Sequence, residues 1–168
     1  MLKWILVLFL LISLPLFLPR PLVADELVSC NDGDTCRIRS GDKAKTIRKV
    51  RLSGIDAPES GQLHWKESRD FLVNLMKGKP LELQCKGTSF NRATCRIFIK
   101  TLEVNEEMVK NGMAWNYPQF SERRYYTAQL EAREKRLGLW KLDPQSSPYC
   151  YRNPRNGVCR DSKNLYQP

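Results

Sequence analysis

The chain has 168 residues, a formal net charge of +10, 42% hydrophobic residues and 27% charged residues. This is enough for one domain with one core, and no repeat, low-complexity stretch or second domain can be read in it. The positive balance suits a polyanionic partner, although charge alone does not separate that use from solubility.

The first segment lies apart from the rest. Met1-Leu2-Lys3 is a short basic start, Trp4 to Leu18 is almost wholly apolar, and Pro15, Pro19 and Pro21 lead to Leu22-Val23-Ala24. Residues 1–24 therefore have the layout of a secretory signal cleaved after Ala24. The apolar run is shorter than the ~20 residues of a spanning helix, and an uncleaved membrane anchor is the rival reading. Loss of Lys3 and Arg20 leaves the remainder basic, because this segment contains no Asp or Glu.

Strands are expected next. Leu27-Val28-Ser29-Cys30 leads into the turn Asn31-Asp32-Gly33-Asp34, and Thr35-Cys36-Arg37-Ile38-Arg39 alternates on leaving it. Ser40-Gly41-Asp42 is a second turn signal. Thr46 to Leu52 resumes the strand pattern, which Ala57-Pro58 ends, since a residue before proline is pushed out of helix. Gln62 to Lys77 predicts a helix, with Trp65, Phe71, Leu72, Leu75 and Met76 mainly at spacings of three and four and Gly78 as its stop. Leu81 to Cys85 and Cys95 to Ile99 predict two partner strands. Asn105 is the expected cap of a short helix closing at Asn111-Gly112. Ser121 is the expected cap of a last helix to about Leu137, with Ala128, Leu130, Ala132 and Leu137 as its apolar members. Residues 143–168, with Pro144, Pro148, Pro154 and Pro168, show no periodicity and predict an irregular tail. Five short strands and three helices suggest a small closed sheet with helices packed on it.

The six cysteines fall as three close pairs. In an exported chain they would oxidise, and proximity favours Cys30–Cys36, Cys85–Cys95 and Cys150–Cys159. Zinc is the competing use; it is poorly matched, because no Cys-x-x-Cys occurs and His64, the one histidine, is far in sequence from any cysteine.

Three patches carry chemistry. Asp32-Gly33-Asp34 alone is an ordinary acidic turn. Arg51 to Glu59 adds Asp56 and Glu59, with Pro58 fixing the backbone between them. Asp34, Asp56 and the Ala57 carbonyl then make an oxygen set suited to Ca²⁺, and Glu59 stands where it could orient or deprotonate a water. Arg51 and Arg92 supply planar forks for non-bridging phosphate oxygens.

On these stretches, together with Asn111-Gly112-Met113-Ala114-Trp115 and Gly138-Leu139-Trp140, the chain resembles the thermonuclease (micrococcal nuclease-like) family over roughly residues 26–142. The resemblance implies an α+β, mainly β fold: a five-stranded OB-fold barrel with three helices over residues 25–142. It implies a Ca²⁺-dependent phosphodiesterase acting on DNA and RNA by in-line water attack and leaving 3′-phosphates. Carried over by position, Asp34, Asp56 and the Ala57 carbonyl are metal ligands, and Arg51, Glu59 and Arg92 are catalytic. The expected molecule is a monomer, periplasmic or secreted, with no stable membrane association once its signal is removed.

The chain departs from the family pattern at Phe90-Asn91, where Tyr-Gly is usual, and at Ser89, where lysine is usual. Phe90 can still stack on a base or sugar, and Asn91 tolerates a left-handed backbone, so altered substrate grip is expected rather than lost chemistry. Tyr117 is a further stacking candidate, with core packing or loop exposure as alternatives. His64, Trp115 and Trp140 are read as packing residues, and Arg123-Arg124, Arg133, Arg152 and Arg155 as solvated faces that could widen a nucleic-acid footprint. The alternative function is a non-catalytic nucleic-acid-binding module on the same barrel, which would not need Asp34, Asp56, Glu59, Arg51 and Arg92 together.

Overall fold

The structure, a computed structural model, describes residues 24–41, 46–142 and 146–160. The expected signal (up to residue 23), Asp42 of the second turn, Pro144 and the end of the tail from residue 161, including Pro168, lie outside the described residues. The strands are β1 (Glu26–Cys30), β2 (Thr35–Arg39), β3 (Ile47–Leu52), β4 (Ile55–Asp56), β5 (Glu82–Ser89), β6 (Arg92–Ile99), β7 (Leu102–Glu103) and β8 (Trp115–Asn116). The helices are α1 (Trp65–Met76), α2 (Val104–Lys110), α3 (Arg123–Glu134), α4 (Pro148–Arg152) and α5 (Gly157–Arg160), with a 3-10 turn at Gly138–Lys141.

The main sheet runs β1-β2-β3-β6-β5, with β7 added to β6. Every pairing is antiparallel except β3 with β6. The mixed, mainly β architecture expected from the sequence is present. The expected closed barrel is not: β1 and β5, the two ends of the path, meet only at the bridge Asp25–Leu81, whose two backbone bonds measure 3.2 and 2.9 Å. Both strands are largely exposed along their length, so little apolar burial would reward a longer ladder there.

The pattern in β2 is realised as read: Cys36 and Ile38 point into the core while Arg37 and Arg39 face solvent. The core gathers Ile38, Val50, Leu52, Ile55, Leu72, Met76, Ile97, Val104, Met108 and Val109, all at most 1% exposed. Each such side chain is worth roughly 1.5–3 kcal/mol of hydrophobic transfer. Two of the three disulfides, Cys30–Cys36 and Cys85–Cys95, join residues directly opposite in antiparallel pairs, and Cys150–Cys159 closes the tail. All three pairings agree with the proximity reading.

Several boundaries differ from expectation for identifiable reasons. Helix α1 starts three residues late, because His64 adopts a left-handed backbone (φ 65°) and occupies the cap position. The fully buried stripe of α1 is Ser68, Leu72 and Met76. Ser68 is in it because Gly33 lies against it, and a Cβ at Gly33 would run into its hydroxyl. Strands β5 and β6 are longer than their apolar alternation suggests; they form a hairpin whose two turn residues, Phe90 (φ 48°) and Asn91 (φ 60°), are both left-handed, the requirement of a tight hairpin turn.

Neither expected cap is used. Asn105 sits inside α2 and is buried, accepting from Ile97 N (3.0 Å) and donating to Ser53 O (2.9 Å) and Cys95 O (3.1 Å), so it stitches the sheet rather than a helix end. The cap position of α3 is Glu122, not Ser121. In α3 the buried residues are Tyr125, Ala128, Gln129 and Ala132, and Leu130 is turned to solvent. The 111–115 and 138–140 segments meet: Leu139 N donates to Gly112 O (2.8 Å), and a side chain at either Gly112 or Gly138 would collide with the other backbone. Trp115 and Trp140 stack edge to face at 5.3 Å beside Leu139. The tail is not irregular throughout, since α4 and α5 form within it and Tyr149 packs on this aromatic cluster.

Among the described residues, no helix is long and apolar enough to cross a membrane.

Candidate active site

The site forms where the β1–β2 turn, the β3–β4 bend and the tip of the β5–β6 hairpin converge. Asp32 organises the turn: its Oδ1 accepts the backbone N–H of Asp34 (3.0 Å) and of Thr35 (2.7 Å). This bond pattern aims Asp34 inward, where its Oδ2 accepts Ala57 N (2.7 Å) and its Oδ1 accepts the Thr35 hydroxyl (3.0 Å). The turn is thereby tied to the β4 end. The Ala57 contact is made by its N–H.

Arg51, near the end of β3, stands between the two buried aspartates. One fork nitrogen pairs with Asp34; the other donates to Asp56 Oδ1 at 2.9 Å and to Ile55 O at 3.2 Å. The Asp56 side chain is fully buried and that of Asp34 is 5% exposed. Removing charge from water to this degree costs several kcal/mol per ion unless partners compensate, and Arg51 is one of them. Burial lowers the Arg51 pKa, with Asp56 and Asp32 opposing. Burial raises that of Asp32 above the usual carboxylate value, with Arg51, the Thr35 bonds and Arg92 pulling against it.

Arg92 is the first residue of β6, directly after the left-handed turn. Its Nη1 donates to Thr35 Oγ1 (3.4 Å), its Nε to Ser89 O (3.3 Å), and its guanidinium carbon lies 6.0 Å from the Phe90 ring. Through Thr35 it is two hydrogen bonds from Asp34. Phe90 at the hairpin tip is 91% exposed. Tyr117, by contrast, packs partly buried against Trp115 and Leu139 and lies 5.3 Å from the Phe120 ring. Its role there is packing of the aromatic cluster.

Glu59 follows Pro58 and is one-third exposed. Its partner is a residue that sequence reading placed on a solvated face: Arg152, at the end of α4. Arg152 Nη1 donates to Asp56 Oδ1 (3.1 Å) and to Glu59 Oε1, and Nη2 donates to Asp56 Oδ2 (2.9 Å). Burial works against its charge, but the Asp56 and Glu59 bonds prevail and raise its pKa. Asp32, Thr35 and Arg152 are thus site residues missed from sequence. The first two were legible in principle, as an acidic turn residue followed by a hydroxyl. Arg152 was not, since only folding brings residue 152 to residue 56.

The expected cation set is altered in one respect. Among the described residues, no three His, Cys, Asp or Glu side chains converge as a ready-made metal cage. Asp34, Asp56 and Glu59 instead share two arginines. The donor chemistry still fits a hard cation: two buried carboxylates converge on a single positive group, and the third is half-open to solvent.

In sequence the chain is similar to known nucleases. A family model described as staphylococcal nuclease homologue matches residues 49–142. An uncharacterized endonuclease of Haemophilus influenzae is 38% identical over 117 residues, covering 68% of this chain and 65% of its own length. The probable staphylococcal-like nuclease CAN4 of Oryza sativa subsp. japonica is 33% identical over 141 residues, 82% of this chain and 28% of its own. A micrococcal nuclease of Shigella flexneri is 32% identical over 140 residues, 76% of this chain and 79% of its own. The chain spans less than two thirds of the length of several of these relatives, from 28% to 65% in the rice and Haemophilus proteins.

Proposed function

This chain belongs to the staphylococcal nuclease family, and from that premise we propose that it is an exported, calcium-dependent nuclease that cleaves phosphodiester bonds in DNA and RNA and leaves 3′-phosphate ends. The observation that carries the proposal is the convergence of Asp34, Asp56, Arg51, Glu59 and, through Thr35, Arg92 on one side of the sheet. A module that only binds strands has no use for buried carboxylates beside phosphate-gripping arginines.

The chemistry follows from the side chains. Asp34 and Asp56, with the Ala57 carbonyl, would hold Ca²⁺, whose contribution when bound is to neutralise phosphate charge and lower the pKa of a nearby water. Glu59 orients that water or accepts its proton. The water oxygen attacks phosphorus in line, the P–O5′ bond breaks, O5′ takes up a proton and leaves as the 5′-hydroxyl, and the phosphate stays on the 3′ side. Arg51 and Arg92 grip the non-bridging oxygens as charge builds on them, a task for which a guanidinium fork is better shaped than an ammonium. Phe90 offers a stacking face for a base or sugar at the hairpin tip.

Three disulfides fit an oxidising compartment, consistent with a periplasmic or secreted, monomeric protein freed of its leader and of stable membrane association. The test is cleavage of DNA and RNA by the purified protein in Ca²⁺ and in chelator, beside Glu59→Ala. Activity is expected only in Ca²⁺ and only with Glu59. Cleavage indifferent to both would overturn the proposal.

A further inference from the structure

Arg152 is not a loose surface arginine. Its helix is seated on the domain by several independent contacts. Ser147 caps α4 by accepting Cys150 N (3.2 Å), and Pro148 and Cys150 are buried. Tyr149 packs against the Trp115–Leu139 cluster, and the Asn156 side chain donates to the Tyr149 hydroxyl (2.9 Å). Gln62 donates to Ser146 O, which fastens the start of the tail to the loop that carries Glu59. The Cys150–Cys159 disulfide closes a loop that contains Arg152. These contacts hold the arginine over Asp56 and Glu59.

At those two carboxylates Arg152 and a divalent ion compete, since both are cations seeking the same oxygens and would repel one another there. Arg152 takes both oxygens of Asp56 and one of Glu59. A hard cation at Asp56 needs the same lone pairs, together with room for its waters. The two arginines of the site also differ in how readily they can leave. The Arg51 side chain is 16% exposed and anchored to the Ile55 carbonyl as well as to two aspartates. That of Arg152 is 37% exposed and projects from a helix of five residues, so it can swing out without moving the sheet.

We propose that Arg152 is an internal cation of this site: it occupies the Asp56–Glu59 side and is exchanged for the divalent ion when the site loads, so that the tail sets the ion affinity. The inference rests on the cation reading above. It gives the fully buried Asp56 a counter-charge before loading, and it makes the C-terminal tail a functional part of the site.

The test is calorimetric titration of the full chain with CaCl₂, comparing the wild type with Arg152→Gln and Arg152→Lys. Arg152→Gln is expected to bind Ca²⁺ about tenfold more tightly, a difference of about 1.4 kcal/mol, with Arg152→Lys in between. Limited trypsinolysis of the wild type gives a readout that needs no variant: Ca²⁺ should open the Arg152–Asn153 bond to trypsin as the arginine side chain leaves Asp56 and Glu59. Equal or weaker affinity in Arg152→Gln, or an Arg152–Asn153 bond whose cleavage is indifferent to Ca²⁺, would overturn the inference and leave Arg152 a staple for the tail. No heat in either protein would overturn the cation reading of the site, and this inference with it.

Discussion

Two clusters in this molecule are built from the same parts, arginines around buried carboxylates, and they differ in what surrounds the carboxylate. At the β6–β7–α3 junction, one buried residue, Glu103, takes Arg96 in a two-pronged pair (2.9 and 2.6 Å), Arg124, and the Tyr125 hydroxyl. Glu122 closes the ring by pairing with Arg96 (3.1 Å) and Arg124 (2.8 Å), and Glu106 pairs with Arg124. Arg96 and Arg124 also lie over the rings of Phe98 and Tyr125. Each ion there is satisfied by elements it ties together, and Arg124, expected on a solvated face, is drawn into it. At the site the balance of acids to arginines is similar, but the arginines are held differently. Arg92 is held by two neutral oxygens, and Arg152 is borrowed from the tail. Neither residue type nor the balance of acid to arginine separates a staple from a candidate reaction centre; an arginine held only by neutral oxygens, as Arg92 is, does.

The sharpest way to break this comparison is to exchange one glutamate from each cluster. Glu59→Ala should lower kcat by about 10²–10⁴-fold while leaving the urea midpoint nearly unchanged. Glu103→Ala should do the reverse, costing about 1–3 kcal/mol of stability by removing the buried acceptor that Arg96, Arg124 and the Tyr125 hydroxyl share, with activity per folded molecule retained. The pH dependence carries the same contrast. Burial raises the Glu103 pKa, but bonds from Arg96, Arg124 and Tyr125 outweigh it and leave the pKa lowered. A lowered folded-state pKa means stability that is present above the ordinary carboxylate range and lost as pH falls through the folded value. Glu103→Gln should therefore flatten the acid limb of the stability curve. An unchanged acid limb would show that Glu103 is not the staple.

Arg92→Lys probes the site arginine held only by neutral groups. It keeps the charge and loses the fork, and kcat should fall about a hundredfold with the melting temperature unmoved. Loss of the Cys30–Cys36 link by double serine substitution should cost about 2–3 kcal/mol. If that link also preorganises the turn that aims Asp34, Ca²⁺ affinity should fall in protein that is still folded. Affinity equal to the wild type would reduce the link to a hairpin staple. The smallest effect is expected at the exposed tip, where Phe90→Ala should weaken single-strand binding by about 1 kcal/mol and leave stability alone.

Much of this was legible in the sequence because it is local. The alternation at Cys36–Ile38, the Leu72 and Met76 stripe, the three neighbouring cysteine pairs and the acidic turn next to Arg51 all depend on residues close in the chain. Asn105 and Ser121 misled because cap preference is a property of isolated helix ends, whereas the Asn105 amide serves three sheet groups instead. Leu130 looked like core only while Tyr125 and Gln129 were overlooked as the buried face. The tail was opaque for a different reason: α4 is held by Trp115, Leu139 and Gln62, all distant in sequence, and has too few residues for a period to show.

The Cys85–Cys95 crosslink has a consequence for Arg92. It sits three residues behind that arginine in β6 and holds Cys85 opposite Cys95, with a register shift between this pair and the Ser89–Arg92 pair at the tip. Because neighbouring side chains along a strand project to opposite faces, a slip of one position would swing the guanidinium outward, away from Thr35 and Asp34. The sulfur bridge thus works as an alignment peg for an arginine it never touches, and a reducing environment would blunt the hairpin's aim before it threatened the fold.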